Sequence, residues 1–280
     1  MARGMVTRQP SRSGRHERVA RPSDGTRRSV KGMPAQASRT IALHWPKGKP
    51  RAGGKYDPVA PERIREILKR LDQDYPGATC ALEHRSAWDL LVATILSAQC
   101  TDVRVNKVTP LLFAKYPSVR HFAALKPEEL EPDIRSTGFF RNKSKSIVGA
   151  AQRVVSAYGG KVPDTMEELL TLPGVARKTA NVVLGTWFKK AVGVVVDTHV
   201  QRIARRLELT KETDAAKIEQ DLMRVIPREK WIEFAHQLIW HGRKVCVARK
   251  PRCVECRLEN LCHAADKTWS TVEVHKAAKP

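Results

Sequence analysis

Cys246, Cys253, Cys256 and Cys262 fall within seventeen residues of a 280-residue chain, in the spacing C-x6-C-x2-C-x5-C. Four thiolates that close together read as a metal site. Disulfides would need two pairs packed into one short loop of a basic chain with no secretory h-region after its first arginines, so they are the weaker reading. Zinc is the stronger rival. A zinc ribbon presents two separated C-x2-C pairs around one ion, whereas a single C-x2-C flanked by longer arms suits the wider reach of a cubane [4Fe–4S] cluster. Arg243, Lys244, Arg249, Lys250, Arg252 and Arg257 stud the same segment, a basic rim of the kind that contacts phosphate.

A second group of residues could carry covalent chemistry. Lys178 sits in Leu172-Pro173-Gly174-Val175-Ala176-Arg177-Lys178-Thr179, beside Arg177 and in the first turn of an apolar helix. There the helix dipole and the neighbouring cation both favour a neutral amine. Such an amine attacks a sugar anomeric carbon and forms a Schiff base with the opened ring. A phosphate-binding lysine is the plainer reading. Nineteen residues later comes Val196-Asp197-Thr198-His199, where Asp197 or Thr198 is placed to cap the next helix. A carboxylate there could also take the proton of the amine and stabilise oxocarbenium charge, and composition does not decide between the two roles.

The elements that must hold these residues are helical. Ile64, Ile67, Leu68 and Leu71 follow the i, i+3, i+4, i+7 pattern of one amphipathic helix, with Pro61 in its first turn and Pro76-Gly77 as its stop. Ser86 and Asp89 form a capping box before Leu90 to Leu96, a run apolar on every side and so the expected central buried helix. Further helices are predicted over 101–115, 141–158 with Gly159-Gly160 as stop, and 164–172, where Asp164 and Glu167 make a second box. After the turn at Gly174, helices follow over 180–188, 200–207, 218–225 and 231–239. Val192 to Val196 lacks an alternating partner strand and reads as an extended connector. The class is all-α. The Leu172 to Thr179 segment is then a helix, a tight turn and a helix, whose free N–H groups suit a phosphate oxygen. An ordinary helical hairpin with glycine in its turn accounts for it equally.

Lys and Arg number 51 against 29 acidic residues, a net +22 that points to a polyanionic partner, nucleic acid first. Half of that excess lies in residues 1–54, where ten Arg and three Lys meet only Glu17 and Asp24. This segment reads as a disordered basic tail, of a composition shared by DNA-binding arms and organellar transit peptides, and an upstream start before Met5 or Met33 would also account for it. No apolar run approaches the length of a membrane span.

Taken in order, Ile95-Leu96-Ser97-Ala98-Gln99-Cys100-Thr101-Asp102, Leu172 to Thr179, Val196 to His199 and the four cysteines closely resemble the endonuclease III family, from about Ala60 to about Ala265. The resemblance implies a two-domain helix–hairpin–helix glycosylase fold: a six-helix domain over 80–191, an iron–sulfur cluster domain joining 55–79 to 192–268, a C-terminal tail at 269–280, and DNA in the cleft between the domains. It implies a monomeric base excision repair enzyme whose partner is duplex DNA carrying oxidised bases or abasic sites. Oxidised pyrimidines would be flipped out and removed, and the strand cut on the 3′ side by β-elimination. By the same resemblance Lys178 is the nucleophile, Asp197 the catalytic carboxylate, and the four cysteines hold a [4Fe–4S] cluster. Gln99 matches a residue that fills the gap left by the flipped nucleotide, and Phe139 falls where a second inserted side chain is expected, although packing at a loop base would also explain it. Gly174, Ala176, Arg177 and His199 would contact DNA. Ala176 replaces the more usual second glycine of the hairpin, which could tighten the backbone there, and Cys100 and Phe139 also differ from the commoner residues. Such a protein works where DNA is, in a bacterial nucleoid or in a eukaryotic nucleus or organelle. The rivals are a monofunctional adenine or mismatch glycosylase, which generally lacks a lysine at this position, and a non-catalytic DNA-binding module, which would leave Lys178 and Asp197 together by accident.

Removing residues 1–54 is expected to weaken non-specific duplex binding and to flatten its salt dependence, by roughly 0.9 in log–log slope for each phosphate that the tail neutralises in the full chain. Single-turnover excision should stay within a few-fold of the full chain. A collapse of excision in folded, truncated protein would place the tail in the active site.

Overall fold

The computed structural model describes residues 56–268, all within one compact unit, Lys55–Pro280. The basic segment 1–54 and the tail 269–280 lie outside the described residues. Eleven α-helices and four short 3-10 turns make up the described chain, with no strand among them, and 192–196 is a connector as its composition predicts. No helix among the described residues is long and apolar enough to cross a membrane.

Helix α2 (Ala87–Leu96) is the centre. Leu90, Leu91, Val92, Ala93 and Leu96 are wholly excluded from solvent, which a helix apolar on all sides can achieve only with neighbours on every side. Those neighbours are α3 (Asp102–Lys115), α6 (Phe140–Tyr158) and α8 (Arg177–Thr186). Ser86 Oγ caps α2 by accepting from Asp89 N at 3.0 Å, while the Asp89 carboxylate accepts from Arg85 N rather than from the cap residue itself. Helices α4 (Val119–Ala124) and α5 (Pro127–Ile134) pack on α6, and α7 (Met166–Leu169) packs on α8.

A second set of contacts runs through α11 (Trp231–Lys244), which receives α1 (Pro61–Asp74) and α9 (Thr198–Arg206), with α10 (Ala215–Val225) lying on α9. The predicted face of α1, Ile64, Ile67, Leu68 and Leu71, is the face that is buried. Helix α6 ends as its two glycines require: Gly159 is left-handed at φ 61° and Gly160 N returns to Val154 O at 2.9 Å.

Three expectations need correction. Helices α4 and α5 escape the reading of the sequence, because six residues and eight residues with an internal Pro132 are too short for a clear period. The helix expected over 164–172 contracts to Met166–Leu169, and its cap is Thr165, which accepts from Glu168 N at 3.3 Å, one position past the Asp164 and Glu167 pair. Asp164 instead pairs with Lys190. Helix α11 runs five residues beyond the predicted Ile239, ending in His241, Arg243 and Lys244, basic groups suited to the negative end of the helix dipole.

Leu91→Ala should lower unfolding free energy by about 2–5 kcal/mol, since the cavity opens where nothing can collapse into it. Leu111→Ala, at a leucine 76% exposed on α3, should move it by less than about 0.5 kcal/mol. Urea unfolding with an unchanged slope checks both.

Candidate active site

The turn before α8 is built by contact with α6. Gly174 adopts φ 75°, and a Cβ on it would lie 2.5 Å from Ser146 Cβ, so both backbone angle and space demand glycine. Ala176, by contrast, has φ −95° and ψ 170°, ordinary extended backbone in which alanine is unstrained; the tightening expected from losing a glycine does not occur. No side chain caps α8, and the amides of Arg177, Lys178 and Thr179 find no acceptor among the described residues. These N–H groups and the positive end of the helix face outward together.

Lys178, at the second position of α8, is exposed and makes no hydrogen bond or ion pair among the described residues. Arg177 turns the other way. Its guanidinium grips the buried Glu219 carboxylate through two bonds of 2.7 and 3.1 Å, and Glu219 also accepts from Asn181. The bare cation expected beside Lys178, and expected to contact DNA, is therefore an ion pair whose guanidinium is committed to α10. The Glu219 interaction, the largest influence on Arg177, raises its pKa further.

Asp197 is the N-cap of α9, with Oδ1 accepting from His199 N at 2.8 Å and Val200 N at 2.9 Å. Capping uses Oδ1 alone: Oδ2 takes no hydrogen bond from the described residues, so the cap leaves one oxygen uncommitted. Lys178 and Asp197 line one pocket, closed by Cys80, Thr94, His236 and Arg243. On that wall Arg243 donates to Asp102 at 2.6 Å. Burial holds the His236 pKa down at about 4, so its ring is neutral near neutral pH. Neither His236 nor the Arg243–Asp102 pair carries a local sequence signal, since each depends on α11 meeting α2, α3 and α8 in space.

Gln99, Phe139 and His199 lie outside the pocket lining. Gln99 (φ 53°) and Phe139 (φ 48°) both adopt left-handed backbone, which costs a non-glycine residue roughly 1–2 kcal/mol. Phe139 is 62% exposed, which excludes packing at the loop base. His199 Nδ1 lies 3.1 Å from Arg202 Nη2, and the ring also meets the Gly242 backbone. Gly242 makes room for it: a Cβ there would lie 2.7 Å from His199 Nδ1. Burial lowers the His199 pKa.

The cysteine loop forms a separate hollow lined by Cys246, Cys253, Cys256 and Cys262 together with Arg206 and Lys267. All are free thiols. Among the described residues no group of three or more His, Cys, Asp or Glu side chains is placed to hold a metal ion, and the four cysteines line the hollow. Each sulfur has a protein neighbour. Arg206 Nη1 donates to Cys246 Sγ at 3.2 Å, Thr268 N to Cys253 Sγ at 3.5 Å, and Cys262 Sγ donates to Arg206 O at 3.4 Å. His241 Nε2 lies 3.6 Å from Cys256 Sγ while its Nδ1 meets the Tyr75 hydroxyl at 3.0 Å. Burial pushes the Cys256 thiol up to about 12. The basic rim is thinner than its composition implied: Arg243 pairs with Asp102, Arg257 with Asp74 and Arg252 with Glu255, leaving Lys244, Arg249 and Lys250 without ion pairs among the described residues.

Comparison with known proteins bears on this geometry. Residues 92–228 match the model of the HhH-GPD superfamily base excision DNA repair protein. The endonuclease III of Synechocystis sp. is 57% identical over 204 residues, 73% of this chain and 93% of that protein, and that of Bacillus subtilis is 43% identical over 207 residues, 74% of this chain and 94% of that protein. A solved structure of a trapped endonuclease III–DNA covalent intermediate, with an estranged adenine, superposes with a TM-score of 0.70 at 42% identity, covering 73% of this chain and 96% of that one. With such identity over nearly the whole length of its relatives, the chain belongs to the endonuclease III family, base excision repair enzymes that are DNA glycosylases and abasic-site lyases.

Proposed function

We propose that this chain removes oxidised pyrimidines from duplex DNA and then cuts the strand 3′ to the abasic site, with Lys178 as nucleophile and Asp197 as the carboxylate that serves it. The observation that carries the reading is the shared pocket: an exposed lysine without a partner and a carboxylate with one uncommitted oxygen open onto the same space. The Lys178 amine, having passed its proton to Asp197 Oδ2 or to water, adds to the sugar C1′ as the glycosidic bond breaks, and the base leaves with a proton. The ring opens to a Schiff base, loss of a C2′ proton expels the 3′ phosphate, and water frees the lysine. Charge developing on the sugar faces Asp197 Oδ2, held still by the capping bonds to its other oxygen.

Duplex DNA is the partner that fits. The unsatisfied amides of Arg177, Lys178 and Thr179, with Gly174 and Ala176 before them, would hold a phosphate, Gln99 and Phe139 would enter the duplex, and His199 would offer its ring to the backbone. The Arg177 guanidinium would act indirectly by fixing α8 to α10. The relative trapped covalently on DNA supports this reading. The two packing sets, one around α2 and α6 and the other around α11, support a domain over 80–191, which holds the seven helices α2 to α8 rather than six, and a second domain over 55–79 and 192–268; the chain would act as a monomer.

In the second domain the four cysteines would hold a [4Fe–4S] cluster. Four cysteines lining a common hollow in the spacing C-x6-C-x2-C-x5-C, with Arg206 directed at one sulfur, fit an anionic cubane. When bound, the cluster supplies structural cross-linking of the cysteine loop.

Two measurements check these assignments. Purified protein should be yellow-brown with about four iron and four labile sulfide per chain; one zinc and no iron in protein prepared without air would remove the cluster. Lys178→Gln should abolish borohydride trapping and strand cleavage while leaving DNA affinity nearly unchanged. Asp197→Asn keeps the capping oxygen, so stability should hold while base excision falls by about 10²-fold or more. On a preformed abasic site Asp197→Asn should retain more trapping than on a base lesion, whereas Lys178→Gln should be inactive on both. Trapping of Lys178→Gln at the wild-type rate would move the nucleophile elsewhere.

A further inference from the structure

Lys143 lies in the first turn of α6 and is only 4% exposed. Its ammonium enters no ion pair among the described residues. It donates instead to two backbone carbonyls, Leu96 O and Thr137 O, at 2.8 Å each. Leu96 is the last residue of α2, three before Gln99, and Thr137 stands two before Phe139. One buried cation is thus bonded to the foot of both turns whose tips are exposed, left-handed, non-glycine residues. A buried ammonium costs free energy unless its donors are met, and burial lowers the Lys143 pKa. An apolar side chain would fill the space without that cost, but it would leave both carbonyls without a donor and the two turns unjoined.

We infer that Lys143 is a positioning residue that sets the spacing between the Gln99 and Phe139 turns, so that the two side chains enter the duplex as one unit on either side of the displaced nucleotide. The inference rests on the reading of Gln99 and Phe139 given above. Its physical content is preorganisation. Two turns held separately would each have to be ordered on DNA, whereas a shared tie orders both beforehand and leaves more of the binding energy for unstacking the lesion. The tie ends at the carbonyls and touches neither Lys178 nor Asp197, so it acts on opening of the duplex and not on bond cleavage.

The test compares Lys143→Met, the double variant Gln99→Ala/Phe139→Ala, and the triple variant, on duplex carrying thymine glycol beside 2-aminopurine. Lys143→Met should lose the fluorescence rise that reports unstacking, and its single-turnover excision should fall by about tenfold, a coupling of ordinary size for residues in one network. The triple variant should be no worse than the double. Trapping by Lys143→Met on a single-stranded abasic oligonucleotide, which has no opposite strand to part, should stay within about twofold of wild type. Lys143→Gln keeps amide donors on a shorter stem and should fall between wild type and Lys143→Met, giving the same comparison if Lys143→Met unfolds. A triple variant that drops a further tenfold, or Lys143 variants that lose single-strand trapping equally, would show that the lysine merely holds the fold and would overturn the inference. If the double variant itself keeps the wild-type fluorescence and rate, the roles of Gln99 and Phe139 fail, and the inference fails with them.

Discussion

The seating of the turn 172–175 on α6 is the interaction on which the rest of the site depends. Gly174 comes so near Ser146 that a Cβ could not be placed between them, and Pro173 lies where a Cβ on Gly149 would be only 3.2 Å from its ring. Packing this close fixes the start of α8 against α6. Since α8 also packs on the buried α2, the position of Lys178, the direction of the free amides and the floor of the pocket are set together. A looser turn would let each of them wander, and chemistry that needs atoms at bonding distance tolerates little of that. Helix α6 then acts as a spine: its middle seats the hairpin, and its first turn carries Lys143 beside the exposed Phe139.

Positive charge is distributed less freely than the composition implies. Arg177, Arg206, Arg243 and Arg257 all commit their guanidinium groups to carboxylates within the fold. Arg202 donates to the carbonyls of Gly242 and Cys246, joining the N-terminal half of α9 to the cysteine loop. These arginines serve as cross-links, for which a planar fork with five donors is suited. Lysines supply more of the uncommitted charge: Lys178, Lys244 and Lys250 have no ion pair among the described residues. A residue count alone would have assigned all of these groups to phosphate.

That division explains what could and could not be read from the chain. The apolar run 90–96 announces a buried helix because no other environment accepts it, and the four closely spaced cysteines announce residues that line one hollow. The first face of α1 and the glycine stop of α6 follow from period and backbone freedom. Arg177 misleads, because Glu219 lies 42 residues away and nothing local marks the two as partners. Ala176 misleads for the opposite reason: a departure from a family pattern reads as strain until the backbone angle proves ordinary. Lys143 is one of two lysines along the predicted helix 141–158, and nothing local sets it apart from Lys145 until two carbonyls from distant turns are found around its amine.

Asp197 joins both kinds of residue, those legible locally and those legible only in space. As an N-cap it is one of two candidates in the sequence, with Thr198, and its Oδ1 meets two amides of α9. That commitment favours chemistry rather than competing with it. A carboxylate with both oxygens free would rotate about its last torsion and present a changing charge to the pocket. With Oδ1 held by two bonds, Oδ2 points in one direction, and in the proposed reaction charge that develops on a sugar would meet an electrostatic partner that needs no reorganisation. The amides gain as well, since they are met by a full negative charge at the positive end of the helix dipole. The same bonds therefore begin α9 and aim the carboxylate. For this reason fold stability and excision chemistry should part at Asp197 only for a substitution that preserves the capping oxygen while removing its charge.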